Sequence, residues 1–122
     1  MHLQESGENY LETILILRQK KPHVRSIDIV NETGFSKPSI SRAVGILKSN
    51  DYIDVDELGC ITLTEHGEKV AESIYERHTM LTKFLISFGI SEQAAAEDAC
   101  RIEHVISEET FEKIKDYTEK DR

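Results

Sequence analysis

The sequence is poor in cysteine, proline and tryptophan. It contains two cysteines, two prolines and no tryptophan among 122 residues. Two cysteines in different sequence contexts do not provide a disulfide framework, so we expect a reduced, cytoplasmic protein. The first residues contain no apolar run of the kind found in signal peptides, and the stretch TILIL is far too short to span a bilayer. We therefore do not expect a secreted or membrane-bound protein.

The charge is strongly acidic and unevenly distributed, with a formal net value of −8. The first 64 residues contain seven basic and nine acidic side chains, whereas the remainder contains eight and fourteen. Such a chain is a poor binder of nucleic acid by electrostatics alone. The segment 33–50 differs because it contains Lys37, Arg42 and Lys48 and no acid. This indicates either a phosphate-facing surface or a solvated helix face.

Three helices are predicted in the first part of the chain. The spacing of apolar residues predicts an amphipathic helix over 8–20, a short helix over 26–33 and a third helix over 37–48. Gly34 suits the C-terminal cap of the second helix, and Ser36 suits the N-terminal cap of the third. Two short helices joined by a tight, glycine-containing turn are the helix-turn-helix pattern.

The period of the apolar residues then changes from helical to alternating. In DYIDVDELGCITLT, Ile53 and Val55 alternate with polar residues, as do Ile61 and Leu63, with a turn near Gly59 between the two pairs. A β-hairpin that directly follows a helix-turn-helix is a wing. The predicted fold class is therefore mainly α, with an N-terminal winged helix-turn-helix.

The remainder of the chain is predicted to be wholly helical. A long helix over 65–88 has two apolar rows, which need two surfaces to pack against, namely its own domain and a second subunit. Further helices are predicted over 91–106 and 108–120. We therefore expect a DNA-binding domain over 1–75 and a helical dimerisation half over 76–122, with the long helix shared between them.

The stretch DACRIEHVI brings together three groups that can bind metal. On a helix, Cys100, Glu103 and His104 lie at i, i+3 and i+4 and share one face, away from the apolar stripe. A thiolate, a carboxylate and an imidazole can bind one transition metal ion. The alternative is a buried cysteine near an exposed acid and histidine. Further ligands would come from other helices, where the candidates are His78, Asn9 and Glu12.

Several of these segments together resemble one family. ENYLETILIL, the winged helix, YERHTMLTKFL and EDACRIEHVISEE are similar to the iron- and manganese-dependent repressors of the diphtheria toxin repressor and manganese transport regulator type. The resemblance covers about residues 8–111. In the iron-type members the Cys, Glu and His of the DACRIEHVIS-like segment bind the activating metal, which implies that role for Cys100, Glu103 and His104.

The departures from the family pattern indicate a hybrid site. Iron-type members have a Met where this chain has Asn9, and manganese-type members have an Asp there and a Glu three residues later, which Glu12 matches. Manganese-type members also have Glu at the position of Cys100. This chain keeps only His78 of an ancillary site found in iron-type members, so His78 is a candidate ligand of the main cluster. We also expect the SH3-like domain of the longer repressors to be absent.

The resemblance implies a metal-dependent repressor of metal homeostasis genes, not an enzyme, that binds double-stranded operator DNA as a homodimer. No membrane and no small organic substrate are implied. The implied cofactor is Fe²⁺ or Mn²⁺, for which Co²⁺, Ni²⁺ or Zn²⁺ can substitute. The predicted metal ligands are Asn9, Glu12, His78, Cys100, Glu103 and His104. The predicted DNA contacts are Ser36, Lys37, Pro38, Ser39, Ser41, Arg42 and Lys48. The alternative function is a winged-helix thiol redox sensor that uses Cys100.

Overall fold

The computed structural model describes residues 5–120, and over this range the chain is mainly helical. It contains α1 (Glu5–Lys20), α2 (Ser26–Thr33), α3 (Lys37–Ser49), β1 (Ile53–Val55), β2 (Ile61–Leu63), α4 (Glu65–Ser87), α5 (Glu92–Ile102) and α6 (Glu108–Lys120). The predicted fold class is confirmed. The chain divides within α4 into a first unit that ends at Glu72 and a second unit that begins at Ser73. Every helix within 5–120 is too short or too polar to cross a lipid bilayer.

Local hydrogen bonds define the helix-turn-helix of the first unit. Gly34 has a left-handed backbone, with φ at 78°, and its N–H donates to the Val30 carbonyl at 2.8 Å. Glycine adopts this conformation without steric cost, so α2 ends here. Ser36 then caps α3, because its hydroxyl oxygen accepts a hydrogen bond from the Ser39 N–H at 3.3 Å. Both helices agree with the predicted bounds to within one residue.

The wing is the antiparallel hairpin of β1 and β2, in which Ile53 lies opposite Leu63. Asp56 organises its turn, because one carboxylate oxygen accepts hydrogen bonds from the N–H groups of Leu58 and Cys60, both at 2.9 Å. Aspartate commonly binds the backbone in this way in turns. The acid at the wing tip therefore has a structural use inside the turn.

The core of the first unit is apolar and well buried. Side chains from all of its helices and strands contribute, and seven of the largest are at most 2% exposed: Leu11, Ile14, Ile29, Ile40, Leu47, Ile53 and Ile61. Burying one such side chain contributes about 1.5–3 kcal/mol. This core fixes the position of α3, whose opposite face is open to solvent.

The second unit has a smaller apolar core, formed by Ile74, Met80, Leu81, Ala95, Ala99 and Phe111. Two of these are alanines of α5, which bury little apolar area. Serine hydroxyls cap both of the later helices, since Ser91 accepts from the Ala94 N–H at 3.3 Å and Ser107 accepts from the Thr110 N–H at 3.1 Å. These capped starts agree with the predicted ones.

The prediction that α5 continues through Ile106 is wrong, because the helix ends at Ile102. The N–H groups of Val105 and Ile106 both donate to the Ile102 carbonyl, at 3.0 and 3.2 Å, and so close a turn. Glu103 is the C-cap of α5. Glu103 and His104 therefore lie in a turn, here called the 103–106 turn, and not on a continuous helix.

The carbonyl of Glu103, in this turn, has a hydrogen-bond partner that is distant in the sequence. In a longer helix the Glu103 carbonyl would accept from the Ser107 N–H. Instead, Nη1 of Arg77 donates to the Glu103 carbonyl at 3.1 Å, and Ser107 begins the next helix as its cap. At the Glu103 carbonyl, the Arg77 side chain of α4 thus takes the place of the Ser107 N–H.

Candidate metal centre

Three of the predicted ligands meet in the second unit. His78 lies on α4, and Glu103 and His104 lie in the 103–106 turn. Nδ1 of His78 is 3.4 Å from Oε1 of Glu103, and Nε2 of His104 is 3.8 Å from the same oxygen. Two ligand atoms that bind one ion at about 2.1 Å each lie about 3–3.5 Å apart. Each histidine nitrogen therefore lies near the distance from Oε1 of Glu103 that an ion shared with this oxygen requires.

The carboxylate of Glu103 is buried without hydrogen bonds. Both of its oxygens are inaccessible to solvent and accept no hydrogen bond, and its side chain is 0% exposed. Removing a carboxylate from water is costly unless hydrogen bonds or positive charge compensate. Imidazole nitrogens beside a carboxylate are a donor set that binds divalent transition metals. These residues therefore fit a metal ion.

The buried acids of the chain coincide with predicted ligands. Among residues 6–120, two acidic side chains are buried: Glu12 in the first unit, 7% exposed, and Glu103 in the second, 1% exposed. Asn9 lies one turn before Glu12 on α1 and is half-buried, and its backbone carbonyl accepts a hydrogen bond from the Thr13 hydroxyl at 2.8 Å. Both predicted ligands of α1 therefore belong to the first unit.

Cys100 lies in the last turn of α5, three residues before Glu103. It is half-buried and forms no disulfide. The Glu103 N–H still donates to the Ala99 carbonyl at 2.9 Å, so helical spacing extends as far as Glu103. Residues at i and i+3 of such a segment lie on one side of it. Cys100 and Glu103 therefore lie on the same side of this segment.

The predicted DNA contacts form an exposed surface on the first unit. Ile40 and Leu47 bury one side of α3 in the core, and the residues predicted to contact DNA are all exposed. The Ser36 hydroxyl among them also caps the helix. A recognition helix docks with its first residues towards the base edges of the major groove. The exposed set comprises Ser36, Lys37, Pro38, Ser39, Ser41, Arg42 and Lys48.

The sequence matches known proteins over nearly its whole length. Residues 64–121 match the family described as iron dependent repressor, metal binding and dimerisation domain. The transcriptional regulator MntR of Escherichia coli is 31% identical over 119 residues, which cover 98% of this chain and 77% of that protein. The HTH-type transcriptional regulator MntR of Geobacillus kaustophilus is 31% identical over 111 residues, which cover 91% and 79%.

A solved structure shares the fold. The structure of a manganese-dependent transcriptional repressor in complex with manganese superposes with a TM-score of 0.85 at 23% identity. The match covers 92% of this chain and 52% of that one, so the chain spans about half the length of that repressor.

Proposed function

The chain belongs to the family of metal-dependent transcriptional repressors typified by the diphtheria toxin repressor and the manganese transport regulator, and we propose that it represses metal homeostasis genes as a homodimer. It is a transcriptional regulator and not an enzyme. In this proposal Fe²⁺ or Mn²⁺ activates it for binding to double-stranded operator DNA in the cytoplasm.

The observation that carries the proposal is the environment of Glu103. Its buried carboxylate accepts no hydrogen bond and lies within 3.8 Å of nitrogens from two histidines. In a folded protein such a carboxylate normally has partners. A bound divalent ion would supply positive charge to the Glu103 carboxylate and could also bind the histidine nitrogens.

We propose that the full ligand set also includes Cys100 and the α1 residues Asn9 and Glu12. Glu12 is supported by its burial, because an acid that lies at an ordinary surface position of α1 would be exposed. Ligands from the first unit and ligands from the second would together restrict how the units are oriented. Coupling between an effector and a second ligand is typically about 1–3 kcal/mol, or about 5- to 150-fold in affinity.

The DNA-binding step depends on α3 and on the symmetry of the dimer. Lys37, Arg42 and Lys48 are exposed basic side chains on a helix without acids, and they would bind phosphates or base edges. The net charge of −8 keeps non-specific DNA binding weak when the two units are not in the orientation that the metal favours. Metal-dependent orientation would thus switch a weak binder into a specific one.

The identity of the activating metal depends on Cys100. A thiolate favours Fe²⁺ over Mn²⁺, whereas an all-oxygen and nitrogen set suits Mn²⁺. We expect Cys100→Glu to shift the preference from Fe²⁺ towards Mn²⁺. Anaerobic calorimetry with each ion measures this directly, and unchanged relative affinities would show that the thiol does not select the metal.

The central test is DNA binding under anaerobic conditions, titrated separately with Fe²⁺, Mn²⁺ and Zn²⁺. The duplex is one selected from a random-sequence library by the Mn²⁺-loaded protein. We expect His104→Ala and Glu103→Gln to lose metal-dependent binding while they remain folded dimers by sedimentation. His23→Ala, at an exposed histidine distant from these ligands in the sequence, is the matched control and should bind normally. Wild-type metal dependence in both ligand variants would refute the proposal.

The redox alternative makes a different prediction. If Cys100 were a thiol sensor, peroxide would release DNA from the protein in the absence of added metal. The relatives do not favour this function, since they are metal-dependent regulators. A Cys100→Ser variant that keeps metal-dependent binding but loses the peroxide response would support the alternative.

A further inference from the structure

Arg77 joins three parts of the second unit through one guanidinium group. It directly precedes the predicted ligand His78 on α4, and its side chain is 19% exposed. Nη1 donates to the carbonyl oxygens of Glu103 and Ile106, at 3.1 and 3.4 Å. Nη2 donates to Oε2 of Glu108, in the first turn of α6, at 3.4 Å. The group therefore spans the 103–106 turn from its first residue to the following helix.

The guanidinium matches what this turn lacks. Carbonyl groups at the end of a helix have no partner N–H within the helix, and the Glu103 carbonyl is one of them. Arginine presents several donors in one rigid plane, whereas lysine presents a single compact ammonium. Cζ of Arg77 lies 5.4 Å from the ring centroid of the buried Phe111, which fixes the plane from one side. The turn is thus tied to α4 by a rigid group.

We propose that Arg77 is a positioning residue for the metal site, which fixes the 103–106 turn so that Glu103 and His104 face His78 before an ion binds. This rests on the proposed function, because it takes those three residues as ligands. His78 is placed by the backbone of α4, and the other two are placed on the same helix through Arg77. Outer contacts that orient metal ligands typically change metal affinity by about 10- to 100-fold.

Charge and geometry predict opposite effects of removing this side chain. Arg77 carries a positive charge in the same unit as the site, so electrostatics alone predicts that its loss tightens the binding of a divalent cation. Loss of preorganisation predicts weaker binding, because part of the binding free energy must then order the turn. The sign of the change in metal affinity therefore separates a positioning role from a purely electrostatic one.

The test is an anaerobic Co²⁺ titration of the full chain followed by visible absorption, which reports both affinity and ligand geometry. We expect Arg77→Ala to weaken Co²⁺ binding by about 10- to 100-fold and to change the shape of the ligand-field bands. Arg77→Lys keeps the charge but cannot reach two carbonyls and an acid in one plane, so it should weaken binding by about tenfold.

Lys115→Ala is the matched control. Lys115 also joins α6 to α4, but its ammonium donates to Glu76, at 3.1 Å, and not to the carbonyls of the 103–106 turn. Because exposed ion pairs contribute little, its removal should change Co²⁺ affinity by less than about twofold. Equal loss of affinity in both variants would show that docking of α6, and not the turn, is responsible, and would overturn the proposal.

Two further outcomes decide the question. Wild-type or tighter Co²⁺ binding by a folded Arg77→Ala protein, with unchanged bands, overturns the positioning role. If Arg77→Ala does not fold by circular dichroism, the Arg77→Lys protein decides alone, with wild-type affinity as the refuting result. Wild-type Co²⁺ binding by Glu103→Gln and His104→Ala would instead refute the proposed metal site itself, whatever the Arg77 variants do.

Discussion

The candidate functional side chains of the two units differ in their exposure to solvent. In the first unit the predicted DNA contacts on α3 are exposed, while Ile40 and Leu47 of the same helix are buried. In the second unit the side chains of Glu103 and His104 are 0% exposed. Glu12 is the exception in the first unit, and it too is a predicted metal ligand. A DNA-binding surface needs its charges in solvent, whereas metal ligands gain from exclusion of water.

This difference indicates where each unit obtains its stability. The first unit has aliphatic residues at its centre, and their burial contributes stability without a ligand. The second unit has alanines and a buried acid in its interior, and an ion that binds only the folded state would add to its stability by mass action. We therefore expect function to cost stability mainly at the two buried acids, Glu103 in the second unit and Glu12 in the first.

The largest expected effect tests the close packing of the first unit. Gly67, in the first turn of α4, lies so close to the Tyr52 carbonyl that a Cβ would overlap the oxygen. We expect Gly67→Ala to lower the free energy of unfolding by about 3 kcal/mol or more, because backbone atoms must move. Urea denaturation of the metal-free protein measures this.

The matched control is another helical glycine of the same unit. A Cβ on Gly45, in α3, would have nothing within 4 Å. Gly45→Ala should therefore stabilise the protein by about 0.5–1 kcal/mol, the usual gain in a helix interior. If Gly67→Ala proved as stable as Gly45→Ala, the close packing inferred for the first unit would be wrong.

The next effect tests the cost of the acid in the second unit. Glu103→Met replaces a buried carboxylate that accepts no hydrogen bond by an apolar side chain of similar length. A buried polar group without a hydrogen-bond partner costs about 1–3 kcal/mol, or more if it is charged. We therefore expect a gain of about 1–3 kcal/mol in the unfolding free energy at pH 8 in EDTA, together with loss of Co²⁺ binding. A destabilised metal-free variant would show that Glu103 supports the fold, and would remove the contrast between the units.

The smallest effect concerns an acid that stabilises the first unit. Asp28 accepts hydrogen bonds from the Lys21 ammonium and from the Arg25 N–H, the latter at 2.8 Å, and these contacts hold the pKa of its carboxyl below the usual value. A lowered pKa means that the stabilisation is present above the unfolded-state pKa of about 3.9 and is lost as the pH falls through the folded-state value.

Asp28→Ala should cost about 0.5–2 kcal/mol of unfolding free energy at pH 7, because it removes the capping contact between the Asp28 carboxylate and the N–H of Arg25, the N-cap residue of α2. The difference from the wild type should shrink below about pH 4, where the wild-type carboxyl is protonated. Urea unfolding at both pH values checks this, with Asp54→Ala, at an exposed position of β1, as the control. A difference that does not depend on pH would show that the charge of Asp28 is not what stabilises the unit.

Much of the fold follows from local patterns in the sequence. Ser36 and Ser107 each cap the helix that was predicted to follow them, and Gly34 ends α2 as predicted. Ser91, the predicted first residue of the next helix, is its cap. The change from helical to alternating apolar spacing located the wing. These features depend on residues within a few positions of one another, which is why a single sequence was sufficient.

Other features depend on residues distant in the sequence, and the sequence did not predict them. The carbonyl of Glu103, just after α5, accepts a hydrogen bond from Arg77, and the only local signal for Arg77 is its place next to His78. The position of His78 beside the Glu103 carboxylate likewise joins α4 to a turn beyond α5.

Propensity, capping and periodicity act over one or two turns, so the helices, the wing, the basic face of α3 and the kinds of metal ligand available could all be predicted from the amino-acid sequence. The tertiary structure alone decided that Glu103 is buried without hydrogen bonds and that the 103–106 turn is attached to α4. The cost of burying a charge depends on every group that packs around it, and those groups come together only when the chain folds.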